Sequence, residues 1–271
     1  LVSMKNGLAR GVRQASDFLM ALQLSGAYRR DSLANLQVRL PALVIGSGLT
    51  AIDTATEALA YYVVQVEKAL ARFEALTGDA ADPVRREAVL ARFDDEEREV
   101  LEEQLAHARA LRDERAAAAA EGRDPDFHAL LDAWGGVRVV YRRRLVASPA
   151  YRLNHEEVVK SLEEGVRYVE LASPREIHVD EHGAAVAVTF ERNALEDGQL
   201  RATGEALRLP ARSVFVAAGT KPNVTYEREH AGTFALDARG YFQTHAARRE
   251  GEVVTLEPGP GFFTSHVGPA G

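Results

Sequence analysis

The residues with the clearest chemical promise are Gly46-Ser47-Gly48-Leu49-Thr50-Ala51. A short apolar run, Ala42 to Ile45, leads into them, and a helix-like pattern through Ile52, Ala55, Thr56 and Leu59 follows at once. Strand, glycine turn and helix in that order are what a dinucleotide site requires. Gly46 permits the tight turn, Gly48 lets backbone approach a pyrophosphate, and Ala51 in the third position keeps helix and strand close. Backbone N–H groups at the helix start then face phosphate with the positive end of the helix dipole. Alone the pattern is a weak signal, because small residues recur at helix starts for packing.

A second constellation stands far along the chain. Val137, Val139 and Val140 read as a strand, and Tyr141-Arg142-Arg143-Arg144 stand at its end. In a Rossmann-like unit the residue ending this strand meets the adenosine ribose. A carboxylate there selects NAD, whereas arginine accommodates the NADP 2′-phosphate, which guanidinium grips bidentately. That residue ordinarily lies about 20 positions beyond the glycines, but Arg142 lies 94 beyond Gly48. An inserted helical hairpin over residues 62–133 accounts for the excess if it interrupts the connection without moving either end. A merely solvated basic cluster is the alternative; the place at the strand's end, with no acid there, favours NADP(H) over NAD. Farther on, Ser213–Ala218 is an apolar strand ending in small residues, so Ala218 and Gly219 lie where backbone and ligand can come close.

The elements that must position these residues follow from periodicity. Residues 1–40 read as a leading helix and linker, with Val12, Phe18, Leu19, Leu22 and Leu24 giving a helix over 10–24 that Gly26 stops. Within 62–133, one helix is marked by Val66, Leu70, Phe73 and Leu76 and broken around Gly78 to Pro83. A second runs from Val89 through Leu111 to Gly122. Asp94 to Glu103 holds seven acids and one base, either a solvated helix face or a docking surface for a partner or a second copy. Asn154-His155-Glu156-Glu157 has the form of a capping box for a short helix ending at Gly165. Val166–Leu171 reads as the third strand, and Glu176–Asp180 with Ala185–Glu191 as a hairpin around Glu181-His182-Gly183. Asn193–Gly204 reads as a polar loop, with a further strand at Leu207–Leu209. The fold class is therefore α/β: a Rossmann-like three-layer domain with a parallel sheet, a β-meander and the inserted hairpin, assembled from residues 41–61 and 134–224.

Composition narrows the alternatives. The 271 residues include 46% hydrophobic side chains and carry a net charge of −7, with a mean hydropathy of −0.21. That balance argues against a nucleic-acid surface, and no run approaches the ~18 apolar residues of a membrane span, so a cytoplasmic location is expected. The chain has no cysteine, which excludes a redox CxxC and cysteine-ligated clusters within it. Tyrosine–lysine pairs at YxxxK spacing are absent: Tyr151 is followed by His155 and Tyr62 by Val66. There is no GxSxG or HExxH, and His178 and His182, four apart, fall on a strand and a turn. No metal site and no acid–base catalytic residue are expected. The chain starts at Leu1-Val2-Ser3 and stops at Pro269-Ala270-Gly271 in mid-pattern, as an excised piece of something larger would.

The ordered set Gly46-Ser47-Gly48-Leu49-Thr50-Ala51-Ile52-Asp53, Val140-Tyr141-Arg142-Arg143, Glu163-Glu164-Gly165-Val166, Ser173-Pro174-Arg175-Glu176-Ile177 and Ala218-Gly219-Thr220-Lys221-Pro222-Asn223 resembles the NADPH domain of the glutamate synthase small subunit and its relatives in the pyridine nucleotide-disulfide oxidoreductase superfamily. Arg10-Gly11-Val12-Arg13-Gln14-Ala15-Ser16-Asp17-Phe18-Leu19 is similar to the linker before that domain. The resemblance covers most of residues 8–62 and 134–224. It implies a flavoprotein in which an FAD domain surrounds an inserted NAD(P)H domain. Gly46, Ser47, Gly48, Leu49, Thr50 and Ala51 would form the pyrophosphate turn, Arg142 and Arg143 would meet the 2′-phosphate, and Ala218 and Gly219 would lie where nicotinamide approaches flavin. The FAD domain of the same parent chain is then the implied partner. Three departures stand out: the hairpin is absent from the familiar small subunit, the flavin's own fingerprint and acidic motif are missing, and residues 225–271 look like a partial return to the FAD domain. The fragment alone is expected to bind NADPH without turning over. A non-catalytic nucleotide-binding module whose hairpin docks a protein partner is the rival reading.

Overall fold

The computed structural model describes residues 4–78, 82–218, 223–261 and 263–264, in two compact units, Leu1–Ala218 and Gly219–Gly271. In the first unit the chain forms β1 (Val12–Gln14), β2 (Ala42–Ile45), β3 (Val137–Val140), β4 (Arg167–Val169), the meander strands β5 (Ala172–Val179), β6 (Ala185–Glu196) and β7 (Gln199–Pro210), and β8 (Ser213–Val216). Five of them make a sheet in the order β1-β8-β2-β3-β4, every neighbouring pair parallel. All four residues of β2 and of β8 are buried, as a parallel sheet covered on both faces requires. Alternation along β2 divides the core: Ala42 and Val44 join Phe18, Leu22 and Phe215 on one face. Leu43 and Ile45 join Ile177, Val188 and Phe190 of the meander on the other. The expected α/β architecture is what forms.

The helices are α1 (Ala15–Leu24), α2 (Leu49–Thr77), α3 (Pro83–Leu90), α4 (Asp95–Glu121), α5 (His128–Ala133) and α6 (Pro149–Glu163). With 29 residues, α2 is about 44 Å long, whereas a four-residue strand spans only about 13 Å. Its first half lies close on the sheet because Ala51, Ala55 and Ala58 are wholly buried. Its second half overshoots, and there Val66, Leu70 and Phe73 continue the apolar stripe in one cluster with Leu90, Leu105 and Leu111 of α3 and α4. Helices α3 and α4 thus supply the surface that α2 needs once it has left the sheet.

Several local expectations change. Residues 12–14 form an edge strand paired to β8, so the leading helix begins only at Ala15. The helix expected from Val89 to Gly122 is two, α3 and α4, separated by a capping box in which Asp94 Oδ1 accepts from Glu97 N–H and Glu97 Oε2 from Asp94 N–H. At Asn154 the backbone leaves helical geometry (φ −156°, ψ 80°), as a cap position should, but α6 is capped earlier, by Ser148 Oγ accepting from Tyr151 N–H. The polar stretch 193–204 is no loop. It completes β6 and β7, joined at Asp197-Gly198 with φ of 51° and 75°, the positive pair that an Asp-Gly hairpin turn uses.

The linker between α1 and β2 has little regular structure, and polar side chains of α2 satisfy its backbone. Gln65 both accepts from Val38 N–H and donates to Val38 O at 2.8 Å. Lys68 Nζ donates to Ala27 O and Ala34 O, and Tyr61 Oη accepts from Leu36 N–H. Part of the acidic run of α4 is paired inside the chain: Glu96 with Arg10, Glu102 with Arg86, and Glu103 with Arg212. Arg212 Nε also donates to Leu40 O at 2.7 Å, fastening the insertion to the amino edge of the sheet.

The second unit holds α7 (Thr225–Glu229) and a three-stranded antiparallel sheet of β9 (Thr244–Glu250), β10 (Val253–Pro258) and β11 (Phe263–Thr264) in the order β10-β9-β11. Leu236 to Tyr241 closes as a turn, with Asp237 N–H donating to Tyr241 O. No helix among the described residues is long and apolar enough to cross a membrane.

Two outcomes follow from the insertion's contacts. Arg212→Met leaves half-buried Glu103 only the longer Arg39 contact at 3.6 Å and lowers unfolding stability by about 1–2 kcal/mol, measured by urea denaturation. His107, bonded to Tyr62 Oη at 2.7 Å and stacked on Trp134 at 3.9 Å, is held below the ordinary imidazole range by burial. The unfolded chain therefore binds that proton more readily, so the stability His107 contributes is complete above about pH 6.5 and falls as pH drops through the folded value. The melting temperature of His107→Phe should decline less than that of the parent chain across this acidic window.

Candidate nucleotide-binding site

Gly46 follows β2 with φ of 137°, a conformation that glycine adopts without strain. A Cβ there would lie 2.6 Å from Ala217 O, so the chain after β8 passes as close as a missing side chain permits. Gly46 N–H donates to Val140 O at 3.0 Å and Ala217 N–H to Ile45 O at 2.8 Å, pinning the turn between both neighbouring strands. The turn stands on the carboxyl edge where the sheet order reverses, with β3 and β4 to one side of β2 and β8 and β1 to the other. Ligands of open α/β sheets bind at such switch points.

Gly48 is the N-cap of α2 and extended (φ −92°, ψ 177°). Its carbonyl accepts from Ala51 N–H at 2.9 Å and Ile52 N–H at 3.3 Å. Among the described residues nothing accepts from the N–H groups of Leu49 and Thr50. A Cβ on Gly48 would meet no atom within 4 Å, so open space lies over the helix start where those donors stand. Ser47 is 3% exposed, and its Oγ is buried without a partner among the described residues. Ala51 is wholly buried and serves the helix–sheet contact. Asp53 is raised above the ordinary carboxylate range by partial desolvation first and the Glu157 charge second.

Arg142 and Arg144 are exposed and Arg143 half-buried, and none of the three has an ion-pair partner among the described residues. Their loop is nevertheless fixed through its backbone. Asn193, 8% exposed, donates from Nδ2 to Arg142 O at 3.1 Å and to Ser173 Oγ at 2.9 Å. Leu171 N–H donates to Arg143 O at 3.2 Å, and Glu170 Oε1 accepts from Leu145 N–H at 2.5 Å. Ala150 N–H then donates to Ser47 O at 3.2 Å, tying the segment that begins with the arginines to the glycine turn. Ala218 follows β8 on the same edge, and Gly219 lies outside the described residues. Asn193 escaped the sequence reading because it opened a stretch taken as loop; the Asp197-Gly198 dipeptide was the available sign that it sits on a strand.

No protein-family profile matches the chain. It is 30% identical over 254 residues to an uncharacterised protein of Rickettsia prowazekii (strain Madrid E), a match covering 89% of this chain and 33% of that protein. The chain thus spans a third of the length of this curated relative. Among solved structures it is similar to Mycobacterium tuberculosis FprA in complex with NADPH, at 18% identity over 88% of this chain and 50% of that one, with a TM-score of 0.40. It is also similar to Lactococcus lactis thioredoxin reductase, at 15% identity, 89% and 47% coverage and a TM-score of 0.41. A third similar structure is an FAD-dependent pyridine nucleotide-disulphide oxidoreductase from Desulfovibrio vulgaris, at 14% identity, 88% and 36% coverage and a TM-score of 0.37. The fold rests on the five parallel strands and the meander, not on these likenesses.

Gly46→Ala places a methyl group against Ala217 O in a strained backbone region. It should lower stability by about 1–3 kcal/mol, and an unchanged urea midpoint would contradict the close approach.

Proposed function

We propose that the chain is the NADP(H)-binding domain of an FAD-dependent oxidoreductase, presenting NADPH to a flavin held by another domain of a longer parent. The observation that carries this reading is the pairing of an open glycine turn with unpaired arginines at the end of the neighbouring strand, tied together by Ala150 N–H to Ser47 O. The residues present fit the dinucleotide. The N–H groups of Leu49 and Thr50 and the start of α2 suit the pyrophosphate. Arg142 and Arg143 suit the 2′-phosphate, since no carboxylate competes for them and none stands there to bind a 2′-hydroxyl. Ala217 and Ala218 keep side-chain bulk away from the far end of the crevice.

When bound, NADPH supplies the hydride; the chain supplies binding and orientation. No side chain is assigned a proton. The order of motifs resembles that of the glutamate synthase small subunit-like branch of the pyridine nucleotide-disulfide oxidoreductases, which supports a flavin partner domain.

Calorimetric titration of the 271-residue chain tests the proposal. NADPH should bind with micromolar affinity, more tightly than NADH, and the double variant Arg142→Ala/Arg143→Ala should weaken NADPH by about tenfold or more while leaving NADH nearly unchanged. Failure of both nucleotides to bind would sink the assignment, and equal losses for both would sink the role given to the arginines.

A further inference from the structure

A cavity among the described residues lies away from the glycine turn. It encloses about 510 Å³, within the usual size of small-molecule sites. Its floor includes Gly11 before β1, Arg39 before β2 and Arg212 before β8, so it opens on the amino edge of the sheet. The dinucleotide turn stands on the carboxyl edge. The opposite wall comes from α2, α3 and α4 of the insertion.

The lining combines two chemistries. Five of the lining side chains are arginines and two are glutamates, in a chain whose net charge is −7. Some of that positive charge is already matched: Arg10 pairs with Glu96 and Arg212 with Glu103. Arg13 is different. It is half-buried, has no ion-pair partner among the described residues, and burial pulls its guanidinium below the ordinary range. Arg72 donates only to the Ser32 carbonyl. Arg39 Nε is buried with no acceptor among the described residues, while its Nη2 forms long ion pairs with Glu103 at 3.6 Å and Glu99 at 3.8 Å. Gln104, 5% exposed, lines the cavity with its amide unpartnered among the described residues. A buried guanidinium N–H without an acceptor, as at Arg39 Nε, is costly unless something meets it. Beside them the wall is apolar, formed by Phe73, Val100 and Leu101, with Leu76 and Phe93 exposed at 68% and 39%.

We propose that this amino-edge cavity binds an amphipathic organic anion, its carboxylate or phosphate head held by Arg13, Arg39 and Gln104 and its aliphatic body lying along Phe73, Phe93 and Leu101. Guanidinium and amide donors suit an oxyanion, and the apolar wall supplies the burial that an inorganic anion cannot use. The site is independent of the nucleotide crevice and is built by the insertion together with the linker before β2.

The test is calorimetric titration of the whole 271-residue chain with octanoate, octyl phosphate, 1-octanol and inorganic phosphate. At least one octyl anion should bind one-to-one, about tenfold or more tightly than octanol and inorganic phosphate; which one binds distinguishes a carboxylate from a phosphate head. Arg13→Met should weaken that binding by about tenfold and leave NADPH affinity unchanged. Should Arg13→Met fail to fold, Gln104→Leu, close in volume, serves as the second variant with the same expected direction. The proposal is overturned if no octyl anion outbinds octanol, or if the folded variants bind it as well as the parent chain.

Discussion

The close approach of the Gly46 turn to the backbone of Ala217 is the constraint from which the rest of the fold's geometry follows. Two parallel strands lie side by side, and the chain must leave both at the same edge. One exit turns directly into a long helix. With a Cβ position only 2.6 Å from Ala217 O, neither exit can shift without breaking the hydrogen bonds that hold Gly46 to Val140 and Ala217 to Ile45. The start of α2 is therefore fixed against three strands at once. Its unpaired N–H groups face open space because Gly48 adds no side chain over them.

The second constraint is the length of α2. A helix three times longer than the sheet it covers exposes an apolar stripe beyond the sheet, and no surface element could tolerate that in water. Helices α3 and α4 cover that stripe, and α2 secures the irregular linker through Gln65, Lys68 and Tyr61. Buried polar side chains are here the partners of a backbone that has no strand or helix of its own. One helix thus orders the sheet, the linker and the insertion, and its amino end is the candidate phosphate seat.

The sheet and the turn were legible in the sequence for a local reason. Four-residue apolar runs at Ala42–Ile45 and Ser213–Val216 are buried on both faces, so each reads without alternation, and glycine is demanded by backbone geometry at Gly46. The arginines at 142–144 were legible as a strand end for the same cause. What stayed hidden depends on partners distant in the chain. Gln65 and Lys68 look like solvated positions until the linker at Val38 and Ala27 is beside them. Glu96, Glu102 and Glu103 read from the sequence only as part of a charged run, and their pairing with Arg10, Arg86 and Arg212 depends on residues distant in the chain or across a helix turn. Asn193 holds the Arg142 carbonyl from 51 residues away, and periodicity does not reveal that contact.

The arginines anchored to α4 and those after β3 are handled differently. On the amino edge Arg10 and Arg212 are spoken for by Glu96 and Glu103, bonds that anchor the insertion and stand half-shielded from solvent. On the carboxyl edge Arg142, Arg143 and Arg144 are left unpaired while the carbonyls of the first two are held. Forty acidic residues against 33 basic ones leave no shortage of carboxylates for pairing, so the unpaired cluster is not a consequence of composition. Exposed guanidinium groups cost little in water and gain little from a surface ion pair, so folding alone neither requires nor forbids the cluster. What distinguishes the cluster is its place: a backbone held by hydrogen bonds beneath cations unpaired among the described residues, one strand over from the start of α2, where the N–H groups of Leu49 and Thr50 have no acceptor among the described residues.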